Sequence, residues 1–231
     1  MLIFADTETT WLKENKLIQL ALMYDAGLPS QQQILFNPWT EIEISAMATH
    51  HITPEMVKDK PTVKDRTWYW QLKELLECNT VVAHNAKYDL NVLRQEWIEP
   101  KEFICTMKVA MALYPELESH SLQYLRYYFN LKPVIPDDLY PHHALYDTIV
   151  MNELYMHLLR QPNMSERKMI EISKNPLMLT ILKFGKYKGE KFTDVAQKDK
   201  QYLRRLYDQE MAKWEQRDTD LTYTLSKLIK P

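Results

Sequence analysis

The sequence predicts an α/β fold: a mixed sheet with helices packed on its faces, followed by a small second module. Three observations carry that expectation. Three strand-like runs open the chain, LIFAD, LIQLALMYDAG and QQQILFNP, as a hairpin meander. Apolar strands and helical stripes then alternate, the pattern of helices laid on a sheet. Near Gln161-Pro162-Asn163 the texture changes, and a lysine-rich stretch with glycines follows.

LIFAD is a short buried strand. LIQLALMYDAG is the second, with Asp25-Ala26-Gly27 as turn chemistry, and QQQILFNP is the third, ending at Pro38. Thr53-Pro54-Glu55 is a helix start, with a capping hydroxyl and a proline that loses nothing in the first turn. In DRTWYWQLKELLEC, Trp68, Leu72, Leu75 and Leu76 fall on one helical stripe. TVVAHN is a strand, and NAKYDLNVLRQEW a helix beginning near Asn85, a good capping residue. ICTMKVAMALYP and SLQYLRYYFN give two more helices. Pro133, Pro136 and Pro141 punctuate a loop, and a long helix runs from about 143 to 160. Ser165 caps a short helix that stops before Asn175-Pro176. LKFGKYKGEKF holds two of the chain's three glycines, and two helices follow, at about 194–212 and 219–229. The boundary falls near 162–178, giving units 1–162 and 163–231.

Composition narrows the function less than its distribution does. Of 231 residues, 45% are hydrophobic and 26% charged, which singles out no chemistry. Cys78 and Cys105 are too few for a disulfide framework and lack metal-ligand spacing, so they read as reduced, buried thiols of an intracellular, cytoplasmic protein. MLIFADTETT carries no basic leader, and no apolar run approaches the roughly 18 residues a membrane span needs. Net charge is −2. Residues 167–231 hold 15 Lys and Arg against 9 Asp and Glu, net +6, and the rest hold 14 against 22, net −8. An acidic body and a basic tail suit holding cations in one part and meeting a polyanion with the other, unless the asymmetry is chance scatter.

Asp6 and Glu8 lie two apart at a strand's end and so share a face. Two like charges side by side repel unless a cation bridges them, and hard oxygen ligands suit magnesium or manganese. Alone, the pair also fits a solvated strand end. Asp89 lies one turn into the helix after His84-Asn85, between Tyr88 and Leu90. A carboxylate in such surroundings is costly unless paired or metal-bound. In PHHALYDT, helical spacing sets His143 four residues before Asp147, on the same face.

Together, DTETT, HNAKYDL and HHALYDT, starting at positions 6, 84 and 142, resemble the three motifs of the DEDDh 3′→5′ exonucleases. The third motif of that family reads H-x-A-x-x-D. His142, Ala144 and Asp147 match it, and His143 takes the variable position. SAMATHHIT resembles a family stretch ending in H-G-I-T, with His51 in place of glycine. FICTMKVA and LKFGKYKGEKFTDVAQKDKQYLRRLY are similar to the exodeoxyribonuclease X branch, whose small C-terminal module is built around F-G-K-Y-x-G. The resemblance implies a ribonuclease H-like, five-stranded mixed sheet.

It also implies roles. Asp6, Glu8 and Asp147 hold one Mg²⁺, Asp6 with the terminal phosphate holds a second, Asp89 orients a water, and Mn²⁺ substitutes. His142 accepts the proton of the attacking water, a task suited to imidazole. Thr7, Thr9, His84 and Asn85 adjoin the substrate. Leu12 matches a leucine that wedges against the terminal base. Trp11 stands where the family has glycine, and a base can stack on it. The implied activity releases nucleoside 5′-monophosphates from DNA 3′ ends, in end trimming or repair. The alternatives are an RNA-trimming exonuclease and a catalytically silent nucleic-acid-binding module. Many relatives dimerise, which leaves a homodimer open. In the tail, Lys183, Lys186, Lys188 and Lys191 interleave with aromatics including Tyr187. That pattern suits an auxiliary grip on nucleic acid, and equally a small hairpin with lysines on its wet side.

Overall fold

The structure, a computed structural model, describes residues 1–11, 14–25, 29–214 and 217–229. Leu12 and most of the turn at Asp25-Ala26-Gly27 lie outside the described residues. One mixed sheet contains β1 (Leu2–Thr9), β2 (Leu17–Asp25), β3 (Pro29–Leu35), β4 (Thr80–Ala83) and β5 (Glu102–Cys105). Its order is β3-β2-β1-β4-β5. The first three strands form the expected antiparallel meander, and β4 and β5 join β1 in parallel.

β1 is the central strand, and its alternation divides the molecule. Ile3 and Ala5 enter one core, while Phe4 enters the other. Val81 and Val82 of β4 divide the same way. The first core is closed by α3 (Tyr69–Glu77) and α4 (Ala86–Gln95). The second is closed by α5 (Thr106–Leu113), α6 (Leu122–Tyr128), α7 (Ala144–Leu159) and α8 (Glu166–Lys174). Two short helices, α1 (Ile44–His50) and α2 (Pro54–Val57), close a small cluster around Ile18 and Ile52.

Several elements depart from the sequence reading. EFIC is a strand, although the run from Ile104 reads as helix: only pairing with β4 distinguishes so short an apolar segment. α1 carries no cap signal and was not expected. α3 begins at Tyr69, with Trp68 at its cap position, where it stacks on Phe36 at 5.0 Å and packs against the same core as Leu72 and Leu76. Asn85 occupies the cap position of α4 in a left-handed conformation, and its side chain makes no capping bond. Ser165 does cap α8, accepting from the Lys168 amide. Both cysteines are free, but Cys78 is exposed rather than buried.

The helix read over 194–212 is two, α9 (Phe192–Lys198) and α10 (Lys200–Ala212). Asp199 breaks it and caps the second, its carboxylate accepting from the Tyr202 amide. With α11 (Thr219–Ile229) they enclose a separate small core that includes Leu182, Phe192, Leu203 and Leu225. α8 belongs with the larger body: Met169 lies in its core, and the Cys105 amide donates to Ser173 Oγ at 2.8 Å. A shielded ion pair, Lys108–Asp220 at 2.8 Å, ties the small core to α5. Among the described residues no helix is long and apolar enough to cross a membrane.

Candidate active site

Strand parity aims the first two acids. Asp6 and Glu8 follow Phe4 on the face that α7 covers. A β-bulge between Glu8 and Thr9 then breaks the regular pairing with β2, as often happens beside functional sites. Asp147 comes from the first turn of α7 and Asp89 from the first turn of α4. Asp6, Glu8 and Asp147 each present an oxygen within 4.8 Å of the other two.

Each helix-borne acid is fixed by donors. The Thr7 amide and hydroxyl both donate to Asp89 Oδ1, at 3.1 and 2.7 Å. Asp147 accepts from the His142 amide at 3.0 Å and from Gln123 Nε2 at 3.0 Å. These bonds do not offset the burial of so many like charges. Desolvation, then the charges of Asp89, Asp147 and Glu8, push Asp6 well above the carboxylate range. Burial and the neighbouring acids push Glu8 up to about 8. Burial raises Asp89 to about 7, against the Thr7 bonds, and it raises Asp147 against the His142 charge and amide.

The acids line a cleft of about 450 Å³, with His142 beside them. None of the described residues lining it is Lys or Arg, and the charges of His142 and Arg126 offset the burial of Asp147 only in part. The donor set therefore fits a divalent cation: close, hard oxygens whose mutual repulsion such an ion relieves.

The adjacent histidines part company. His142 is exposed on the turn before α7, with φ 66, and reaches the cleft. His143 is the cap residue of α7. Its ring packs edge-on against Tyr140 at 5.5 Å and faces a different cleft. Helical spacing from Asp147 is thus a poor guide here, because His143 lies where the helix is only beginning.

Thr7, Trp11, His84 and Asn85 also line the cleft. The Thr9 hydroxyl meets Tyr88 Oη at 2.6 Å instead. His84 is held between Thr106 Oγ1 and the His120 carbonyl, both at 2.9 Å, and burial pushes it down to about 4, so its ring is neutral at pH 7. His50 is a strut: the Ile52 amide donates to Nδ1, and Nε2 therefore donates to the Thr9 carbonyl. Trp11 and His51, at the two positions where glycine was expected, have φ 55 and 59, the left-handed region that glycine favours.

In the tail, Lys183 donates to the Leu117 and Glu118 carbonyls, and Lys191 lies 3.9 Å from Glu116. Tyr187 Oη donates to Asp199 at 2.9 Å, with Lys186 and Lys198 each 4.6 Å from its ring centre. Lys186 and Lys188 are exposed. Gly185 and Gly189 make turns, with φ 71 and 90. Sequence reasoning missed Gln123, which only tertiary packing brings to Asp147, and Tyr88, which lines the cleft from within the second motif.

A clustered carboxylate site on a β3-β2-β1-β4-β5 sheet is the architecture of a nuclease family. The chain belongs to the exonuclease family, which it matches over residues 3–155, and residues 182–210 match the exodeoxyribonuclease X-like C-terminal family. It is 34% identical over 211 residues to exodeoxyribonuclease 10 of Escherichia coli K12, covering 90% of this chain and 91% of that protein. The PolC-type DNA polymerase III of Bacillus subtilis is 29% identical over 67% of this chain, which is 11% of that protein. A solved structure of exonuclease X in complex with 5′-overhanging duplex DNA superimposes with a TM-score of 0.65 at 31% identity. The match covers 75% of this chain and 99% of that one.

Proposed function

We propose that this exonuclease degrades DNA from its 3′ ends, releasing nucleoside 5′-monophosphates, with Mg²⁺ as the cation and Mn²⁺ as a substitute. The observation that carries the reading is the convergence of Asp6, Glu8 and Asp147 within 4.8 Å, with His142 lining the same cleft. Asp6, Glu8 and Asp147 would hold the metal, with Asp89 beside them. A pair of divalent cations held there would lower the pKa of an attacking water and offset charge on the leaving oxygen.

The chain's own groups do the rest. His142, on its exposed turn, accepts the proton of the attacking water. The carboxylates release their protons when the cation binds, so metal loading and deprotonation are one event. Thr7 keeps Asp89 aimed into the cleft. Trp11, 40% exposed at its mouth, offers an indole face to a base, a contact worth about 1–3 kcal/mol. We assign the catalytic unit to the larger body and a phosphate-binding role to the exposed Lys186 and Lys188 of the tail. A cytoplasmic location, in which both thiols stay reduced, is part of the same reading.

The test uses 5′-labelled DNA and RNA oligonucleotides of one sequence, with Mg²⁺ or with EDTA. A ladder that shortens from the 3′ end of DNA, vanishes in EDTA and is weaker on RNA supports the proposal. Equal or faster shortening of RNA would make this an exoribonuclease, and binding without shortening would make it a silent module.

A further inference from the structure

Gln19 sits on β2 directly opposite Glu8. Residues paired across two strands project from the same face, so its side chain enters the layer between the sheet and α7. Its relative exposure is 3%, and a buried amide there needs partners. Oε1 accepts from the Ala144 amide at 3.0 Å, and Nε2 lies 3.4 Å from His143 Nε2. Burial lowers the His143 pKa, which leaves a neutral ring able to accept that amide hydrogen.

The position of these bonds gives them meaning. The first amides of a helix have no partner within it, and the residue at the start of α7, His143, makes no side-chain capping bond. Gln19 supplies one from another strand. Immediately before lies His142, in the left-handed region at φ 66, where a non-glycine residue is strained unless its surroundings hold it. Three bonds hold the turn: the His143 amide to the Tyr140 carbonyl at 3.1 Å closes it, the His142 amide donates to Asp147 Oδ2 at 3.0 Å, and the Ala144 amide donates to Gln19 just after it. Gln19 does not line the acidic cleft, and its side-chain hydrogen bonds go to the start of α7 rather than to the acids.

We infer that Gln19 is a positioning residue for catalysis, which pins the start of α7 so that the His142 turn presents its imidazole to the cleft. The inference rests on the reading of His142 as the proton acceptor. It also accounts for two adjacent histidines with unlike tasks: one is clamped against Gln19 so that the other stands free.

A double-mutant cycle in the full-length protein tests it, with kcat and KM measured on a DNA oligonucleotide in Mg²⁺. Gln19→Met keeps the bulk of the side chain and removes both bonds. We expect kcat to fall about 10- to 100-fold, the range for outer-shell partners of catalytic groups, with KM changed less than about twofold. In a His142→Ala background the same substitution should change kcat by less than about twofold, because the group it positions is gone. Equal fractional losses in both backgrounds, or no loss in either, would overturn the inference. If His142→Ala itself costs nothing, the proton-acceptor reading fails instead, which separates the two. Gln19→Asn, whose amide is drawn back by one methylene, runs through the same cycle should the methionine variant not fold. Failure of both to fold would assign Gln19 to stability and likewise overturn the inference.

Discussion

The acidic cleft and the basic tail handle charge in opposite ways. In the cleft, four carboxylates crowd together, and no lysine or arginine is among the described residues that line the walls. In the tail, cations find partners at once: Lys186 meets Asp199, Lys198 meets Glu190 and Lys213 meets Glu210. The first two, nearer the surface, contribute about 0–1 kcal/mol each, and the third has a buried partner in Glu210. The tail settles part of its charge within the fold and keeps a net excess of Lys and Arg in water, whereas the cleft buries its acids against one another. Uncompensated charge therefore marks the working region more reliably than total charge does.

The sharpest way to break this contrast is to remove the cleft histidine proposed to accept the proton. His142→Ala should lower kcat by about 10²- to 10⁴-fold, and His143→Ala by less than about tenfold. Comparable losses in two folded variants would reverse their roles.

A second measurement follows thermal unfolding against pH. In the folded, metal-free protein Glu8 keeps a proton up to about pH 8 and Asp89 up to about pH 7. The unfolded chain releases both near pH 4. Between those limits the folded state binds more protons, so stability falls as pH rises from about 4 to about 8. Tm in EDTA should decline across that window, and saturating Mg²⁺ or Mn²⁺ should flatten the decline. A flat curve in EDTA would show that the acids are not strained.

The tail should respond to shape rather than to charge. A Cβ on Gly185, where φ is +71, would collide with Tyr202 Oη. Gly185→Ala should destabilise by about 1–3 kcal/mol while leaving kcat on short oligonucleotides near its original value. His51→Gly, which relieves a left-handed histidine, should change stability in the opposite sense by up to about 1 kcal/mol, read from urea denaturation midpoints. The smallest effect belongs to the tail's exposed lysines. Replacing Lys186 and Lys188 by Ala should make the salt dependence of DNA binding shallower by about one to two units of log–log slope, and an unchanged slope would remove the tail from the interface.

The sequence shows the acids because their spacing repeats backbone geometry. Asp6 and Glu8 share a face because strands alternate, and the apolar run before them shows where the strand ends. Asp89 and Asp147 open helices whose apolar stripes are plain. Gln19 and Gln123 are invisible to the same reasoning: each matters because of a residue more than 20 positions away, and nothing local distinguishes it from a surface glutamine. β5 escaped notice because four residues are too few to show a period. α9 and α10 read as one helix because the cap at Asp199 looks like one more charged residue. His51 and Trp11 were noted as odd residues at glycine positions, but the reason, a left-handed backbone at each, is visible only in three dimensions.

Seven paired positions with β2 and three with β4 clamp β1, and the acids ride on the same alternation that sorts Ile3, Phe4 and Ala5 between the two cores. Inserting or deleting one residue upstream of Asp6 would turn both carboxylates to the wrong side of the sheet while leaving composition almost untouched. The oily half of β1 thus acts as a ruler for its charged half, and the strand's grease sets the aim of its chemistry.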